Sequence, residues 1–119
     1  MTKVKPARAK RIAELNDELR RNPTNQTLGQ ILLSSGVAAR GSEFRAMVMT
    51  ALARMQAKDF KKGNDPYGER DFNSFTIDAR LCFFKIDYFA KGNLCAPSED
   101  PADPSKTERV LTVMLADEY

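Results

Sequence analysis

The sequence predicts an α+β domain of two layers, one main helix packed on a largely antiparallel sheet of about four strands, with an extra N-terminal helix. Three features carry that expectation. Apolar residues recur at helical spacing through 12–19 and again through 44–55. Two runs rich in aromatic and β-branched residues, 72–77 and 81–88, are separated only by Asp78-Ala79-Arg80, short enough for a hairpin turn. A last run, 107–115, is apolar almost without interruption. A chain of 119 residues suits one core, and it divides into a basic N-terminal helix and connector over 1–27 and a single α+β domain over 28–119.

In chain order, Pro6 suits the start of a helix, Ile12, Leu15 and Leu19 share one face, and Asn22-Pro23 stops it, so a helix is expected over 7–21. Its apolar stripe is narrow, which suits packing by one edge or docking on a partner. Gln30 to Ser34 reads as a short strand ended by Ser35-Gly36. Ser42 is a suitable N-cap and Glu43 suits the first turn of the main helix, expected over 43–59 with Phe44, Met47, Val48, Ala51, Leu52 and Met55 toward the core. Residues 61–68 are rich in Asn, Asp, Pro and Gly and form a loop. In the hairpin that follows, Cys82, Phe84, Ile86 and Tyr88 are expected to face the core, leaving Lys85 and Asp87 together on the other side. Residues 90–106 hold Gly92, Pro97, Pro101 and Pro104 without periodicity and read as a long loop. The run 107–115 then reads as an inner strand covered on both faces, or one whose second face docks the first helix or a partner.

Histidine is absent, which removes Ser-His and Cys-His nucleophile pairs and every His-containing metal site. Cys82 and Cys95 match neither a redox CxxC pair nor a zinc framework, and they read as reduced thiols of a cytoplasmic protein. No apolar run is long enough for a membrane span, and the N-terminus lacks the apolar core of a signal peptide. The net charge of +3 is modest, but it is unevenly spread. Residues 1–21 carry seven basic and three acidic side chains, and residues 99–119 carry two basic and six acidic, so the N-terminal segment suits the C-terminal edge.

Three functional constellations follow. Asp65, Tyr67, Glu69, Arg70 and Asp71 make a charged, turn-rich surface suited to a partner protein, with Tyr67, Arg70 and Tyr119 as anchors. Arg54, Lys58, Lys61 and Lys62 form a basic stripe suited to phosphates, to which Phe72, Phe75 and Phe83 would add stacking if their strand face is open. Asp65, Glu69, Asp71 and Asp87 offer oxygen ligands to a hard cation, the basis of a metal-assisted hydrolase reading, although their spacing is not that of an EF-hand. Neither GxGxxG nor GxxxxGK[ST] occurs, and no cofactor is implied.

The strings NDPYGERDF (64–72), FKIDY (84–88), DPADP (100–104) and RVLTVMLADEY (109–119), with IAELND (12–17) and Gly36-Val37, resemble an uncharacterised bacterial family, domain of unknown function number thirty-seven sixty-eight. The resemblance implies no activity and assigns no catalytic residue. Members often carry histidine where this chain has Tyr67 and Arg70, so a His-based site of that kind is not available here. It does imply a setting in bacterial accessory or mobile DNA. The expected function is therefore a non-enzymatic binding module, most concretely an inhibitor of a host defence system of anti-CRISPR or antirestriction type. Such a protein would act by steric occlusion of a larger host protein or nucleoprotein complex, as a monomer or homodimer away from membranes. Nucleic-acid binding and metal-assisted hydrolysis are the alternatives.

Overall fold

The computed structural model describes residues 6–119, with side chains from Ala7 onward, and Lys3 and Lys5 of the basic segment lie outside the described residues. The architecture is α+β: an open five-stranded sheet with helices on one face. The first helix, α1, runs Pro6–Arg21, with proline at its first position as expected. Ile12, Ala13, Leu15 and Leu19 are all buried, and Leu19 joins the main core, so α1 is docked on the domain over its length.

β1 (Gly29–Leu33) leads into a single-turn helix, α2 (Ser35–Ala38), which the sequence reading did not expect. Ser34 caps it, its Oγ accepting the Val37 N–H at 3.2 Å, and this turn brings Val37 into the core. The main helix, α3, runs Ser42–Arg54 and not 43–59. At its start Gly41, not Ser42, holds the cap position, with φ 97°, a region that suits glycine. Its early end has a cause in α1. The Leu52 carbonyl, which the Gln56 N–H would take in a longer helix, accepts instead from Arg20 Nη1 at 2.7 Å, while Gln56 N–H goes to Asp59 Oδ2 at 2.8 Å. Arg20 Nη1 and Arg21 Nη2 each also donate to the Met55 carbonyl at 3.2 Å. Two guanidinium groups thus cap the negative end of α3, and the chain continues as a 3-10 turn at Ala57–Asp59.

β2 (Phe72–Ile77) and β3 (Arg80–Ala90) form the expected hairpin. Its two turn residues, Asp78 and Ala79, both have positive φ (51° and 63°), the twist that two-residue hairpins favour. The stretch read as a loop contains a fifth strand, β4 (Asn93–Pro97), which folds back on the end of β3 through a register shift at Phe89/Ala90. The irregular register and the prolines hide it from a periodicity argument. β5 (Thr107–Leu115) is the inner strand, parallel to β1 and antiparallel to β3, and it is largely buried on both faces. The sheet order is β1-β5-β3-β2, with β4 paired to β3 off this path, so that β1, β2 and β4 are edges among the described residues.

The core lies between the sheet and the helices, joining Phe44, Val48 and Leu52 of α3 to Cys82, Phe84 and Ile86 of β3 and Leu111 and Val113 of β5. Met55 is buried as expected, but Met47 is 40% exposed, because α3 presents that turn to the edge of the sheet and not to its middle. Among the described residues, the opposed charges of the two chain ends meet at Arg8, which donates to Asp100 Oδ1 through Nε at 3.2 Å and Nη2 at 2.9 Å.

Candidate functional site

The loop between the 3-10 turn and β2 carries the five residues picked as a partner surface, and tertiary contacts turn most of them inward. Asp65 closes the loop on itself: its carbonyl accepts Gly68 N–H at 3.2 Å and its Oδ1 accepts Arg70 N–H at 2.9 Å. That closure holds Arg70 at φ 54° and aims its side chain at α1. There its guanidinium grips Asp17, Nε to Oδ1 at 3.0 Å and Nη2 to Oδ2 at 2.6 Å. Asp17 also accepts from Nη2 of the fully buried Arg20, so one carboxylate serves two guanidinium groups. The hydrogen bond to Asp17 pushes the Arg70 pKa up, while burial outweighs Asp17 and pushes that of Arg20 down.

A second network lies beside the first. Asn16, fully buried on α1, donates through Nδ2 to the Glu69 carbonyl at 3.0 Å and to the Tyr88 hydroxyl at 2.8 Å, and accepts Arg109 Nε through Oδ1 at 2.7 Å. Tyr88 donates to Glu69 Oε1 at 3.2 Å. Arg109, fully buried on β5, also donates to the Pro101 carbonyl and lies 5.3 Å from the centre of the Tyr88 ring. Burial lowers its pKa and raises that of Tyr88. Asp71, partly buried beside this network, has its pKa pushed up to about 6 by burial first and by the Glu69 carboxylate second. The sequence signal for these contacts is weak, because Asn16 and Asp17 read as polar positions of a helix and all their partners but Arg20 lie more than fifty residues away.

Of the five loop residues, Tyr67 alone stands clear, at 72% exposure. Three of the four carboxylates of the hydrolase alternative have other partners. Glu69 engages Tyr88, Asp65 engages the loop backbone, Asp87 pairs with Lys85 at 3.2 Å, and among the described residues no three of His, Cys, Asp and Glu converge to hold a metal ion. The basic stripe is different. Arg54, Lys58, Lys61 and Lys62 are all exposed, and none makes an ion pair among the described residues.

An aromatic surface lies on the sheet face away from the helices. Register places Phe72, Phe83, Lys85, Thr112 and Leu32 on that face, whereas Phe75 sits opposite Cys82 and packs on the core. Tyr119, 73% exposed, lies over this face with its ring centre 5.3 Å from Phe83 and 6.1 Å from Phe72, and Phe72 lies 5.6 Å from Phe83. Leu32 and Leu81 extend the patch at 45% and 48% exposure. Next to Tyr119, Glu118 is fastened to β1 and α2 by Ser34 Oγ at 2.6 Å and Gly36 N–H at 3.0 Å, which fixes the segment that carries the tyrosine. The Ser34 bond also holds the Glu118 carboxyl below its usual range. Alternation along the hairpin made the Phe72 and Phe83 face readable, but Tyr119 joins them only because a 3-10 turn at Ala116–Glu118 folds the chain back.

Among the described residues no helix is long and apolar enough to cross a membrane. Residues 33–118 match the model of a family described as a protein of unknown function (DUF3768). Neither a curated protein nor a solved structure matches the chain.

Proposed function

The chain belongs to that family, and from its own geometry we propose a non-enzymatic binding module that acts by covering a site on a larger protein or nucleoprotein complex. The observation that carries this reading is the rigidly backed aromatic patch of Phe72, Phe83 and Tyr119 on an uncovered sheet face. Exposed clusters of large apolar side chains on a fixed strand surface are the anatomy of an interface centre. The Lys85–Asp87 pair beside it supplies a polar rim. Tyr67, at the tip of the loop held by Arg70 and Asp17, adds a separate aromatic anchor. Catalysis fits less well, because Asp65, Glu69 and Arg70 of that loop are committed to structural partners. The most concrete form of the proposal is an inhibitor of a host defence system, of anti-CRISPR or antirestriction type, carried on accessory or mobile bacterial DNA. It is supported by the setting that the family resemblance implies. A tagged full chain incubated with bacterial lysate, with and without nuclease, tests it. A stoichiometric, nuclease-resistant partner that is lost with F83A and Y119A is the expected result.

One observation favours a second reading, direct binding of nucleic acid: four exposed cations, Arg54, Lys58, Lys61 and Lys62, without carboxylate partners among the described residues. Retention of nuclease-sensitive material alone, with affinity falling steeply in salt, would put this reading first.

A further inference from the structure

We infer that the free edge of β1 pairs with β1 of a second copy of the chain, antiparallel about a two-fold axis at Leu32, so that one sheet runs through both copies. The backbone sets the register. Arg109 N–H donates to the Leu28 carbonyl at 3.1 Å and Ser34 N–H to the Val113 carbonyl at 2.9 Å, and β1 runs parallel to β5 with Ile31 opposite Leu111. Successive residues of a strand offer their backbone groups to opposite sides, so Gln30 and Leu32 give theirs to β5 while Ile31 and Leu33 turn theirs outward. No hydrogen bond among the described residues takes the N–H or C=O of Ile31 or Leu33 on that side. Gly29 is buried, so the open part of the edge is 31–33. Setting Ile31 opposite Leu33 of the second copy, and Leu33 opposite its Ile31, satisfies all of these outward groups.

Sheet edges are commonly protected by charges, prolines, bulges or a covering contact. The other two edges carry such devices. β2 is flanked by Asp71 and Asp78 and is partly closed where Asn73 Nδ2 donates to the Asp59 carbonyl at 3.1 Å. β4 joins β3 through a register shift and ends in Pro97. β1, with the sequence GQILL and an unbroken register on β5, has neither charge, proline nor bulge. It lies within a stretch, 22–39, that holds no Asp, Glu, Lys or Arg in a chain of which 29% is charged.

That neutrality points to a second copy as the occupant. About a two-fold axis the strand meets its own image, so a charge near the axis would face its like, whereas a strand that pairs with a different chain is under no such constraint. Leu32, 45% exposed, would meet Leu32 of the second copy in the non-hydrogen-bonded position, where Cα atoms stand about 4.5 Å apart and side chains pack closest. The charged groups next to β1 in sequence and register, apart from the buried Arg109, lie beyond its ends: Lys91, Lys106 and Glu108 at one, and Asp117, Glu118 and Arg40 at the other. Each end carries both signs, so charge neither drives nor bars the approach, and the pairing rests on the backbone groups and Leu32. The inference is independent of the aromatic-face reading, and the pairing sets two aromatic patches on one continuous sheet face.

The test is the mass of the full chain by sedimentation equilibrium at concentrations up to about 0.5 mM, with substitutions at Leu32. Wild type is expected to pass from monomer toward dimer as concentration rises. L32K and L32E each place like charges at the axis and weaken the dimer by about tenfold or more, and an equimolar mixture of the two restores it, which a variant that merely fails to fold cannot do. In a C95S background, which removes the exposed native thiol, L32C is expected to link into a disulfide dimer with oxidised glutathione, whereas Q30C, whose two copies would stand about 14 Å apart along the strands, is not. Y119A leaves the mass unchanged, so failure here and failure of the aromatic-face reading are separable. The proposal is overturned by a monomer mass at every concentration, by a dimer indifferent to L32K, or by a dimer lost with Y119A, which would place the contact on the aromatic face. A monomer whose capture of a lysate protein is lost with L32K also overturns it and assigns the edge to a different chain.

Discussion

The Arg70 guanidinium holds both carboxylate oxygens of Asp17, at 2.6 and 3.0 Å, and this one pair ties the 65–71 loop to α1. Asp17 simultaneously neutralises Arg20, whose other bonds end α3, so a single carboxylate links the candidate loop, the first helix and the length of the main helix.

The two partners of this pair are therefore unequal. D17A leaves the buried Arg20 without a carboxylate and is expected to cost about 3–5 kcal/mol. R70A leaves Asp17 still paired with Arg20 and keeps a Cβ at the same positive φ, so a loss of about 1–2 kcal/mol is expected, from the lost hydrogen bonds alone. Urea denaturation of both variants and of the double mutant checks the order. Equal losses would show that Arg20 does not depend on Asp17.

Asp71 makes stability depend on pH in an unusual direction for a carboxylate. Its pKa is raised from 3.8 to about 6 in the folded chain, so the folded state holds its proton more tightly than the unfolded state. The favourable contribution is complete below about pH 4 and is lost as pH rises through about 6, by roughly 2 kcal/mol after allowance for partial exposure. D71N is expected to melt higher than wild type above pH 6 and to converge with it near pH 4. Thermal melts across pH 4–8 measure this, and parallel curves for the two proteins would refute it.

The hairpin turn carries a cost that glycine would relieve. Ala79 sits at φ 63°, where a Cβ is disfavoured by about 1–2 kcal/mol, and Asp78 before it tolerates such angles better. A79G is expected to stabilise the chain by about 0.5–1 kcal/mol once the greater freedom of glycine in the unfolded chain is subtracted. A rise in the denaturation midpoint with an unchanged slope is the expected signature.

Periodic elements were legible in the sequence. Cys82, Phe84 and Ile86 face the core as their alternation demanded, α1 ends at Arg21 before Asn22-Pro23, and β5 is buried on both faces. What was illegible depends on partners distant in the chain. The end of α3 is decided by Arg20 and Arg21, and no local pattern in 54–59 announces it. The inward turn of Glu69 and Arg70 depends on Asn16, Asp17 and Tyr88, so a loop whose composition reads as a charged surface offers Tyr67 and little else. β4 escaped because its pairing is short and irregular.

The aromatic patch separates binding from folding. Phe83 and Tyr119 lie on the sheet face away from the main core, and Tyr119 is 73% exposed, so Y119A is expected to change stability by less than about 1 kcal/mol. A side chain at the centre of an interface commonly costs about 2 kcal/mol or more when truncated, which lowers affinity by about thirtyfold. Charge reversal at Lys61 and Lys62 acts at the rim if the partner is a protein, changing the association rate and its salt dependence more than the lifetime of the complex. If nucleic acid is bound through that stripe, the same reversal lowers affinity for every sequence and reduces the salt slope by about one for each lost phosphate contact. Measuring both variants against the captured partner therefore assigns the surface. Dependence on Tyr119 with a weak salt slope places binding on the sheet face, and indifference to Tyr119 with a steep slope places it on Arg54, Lys58, Lys61 and Lys62.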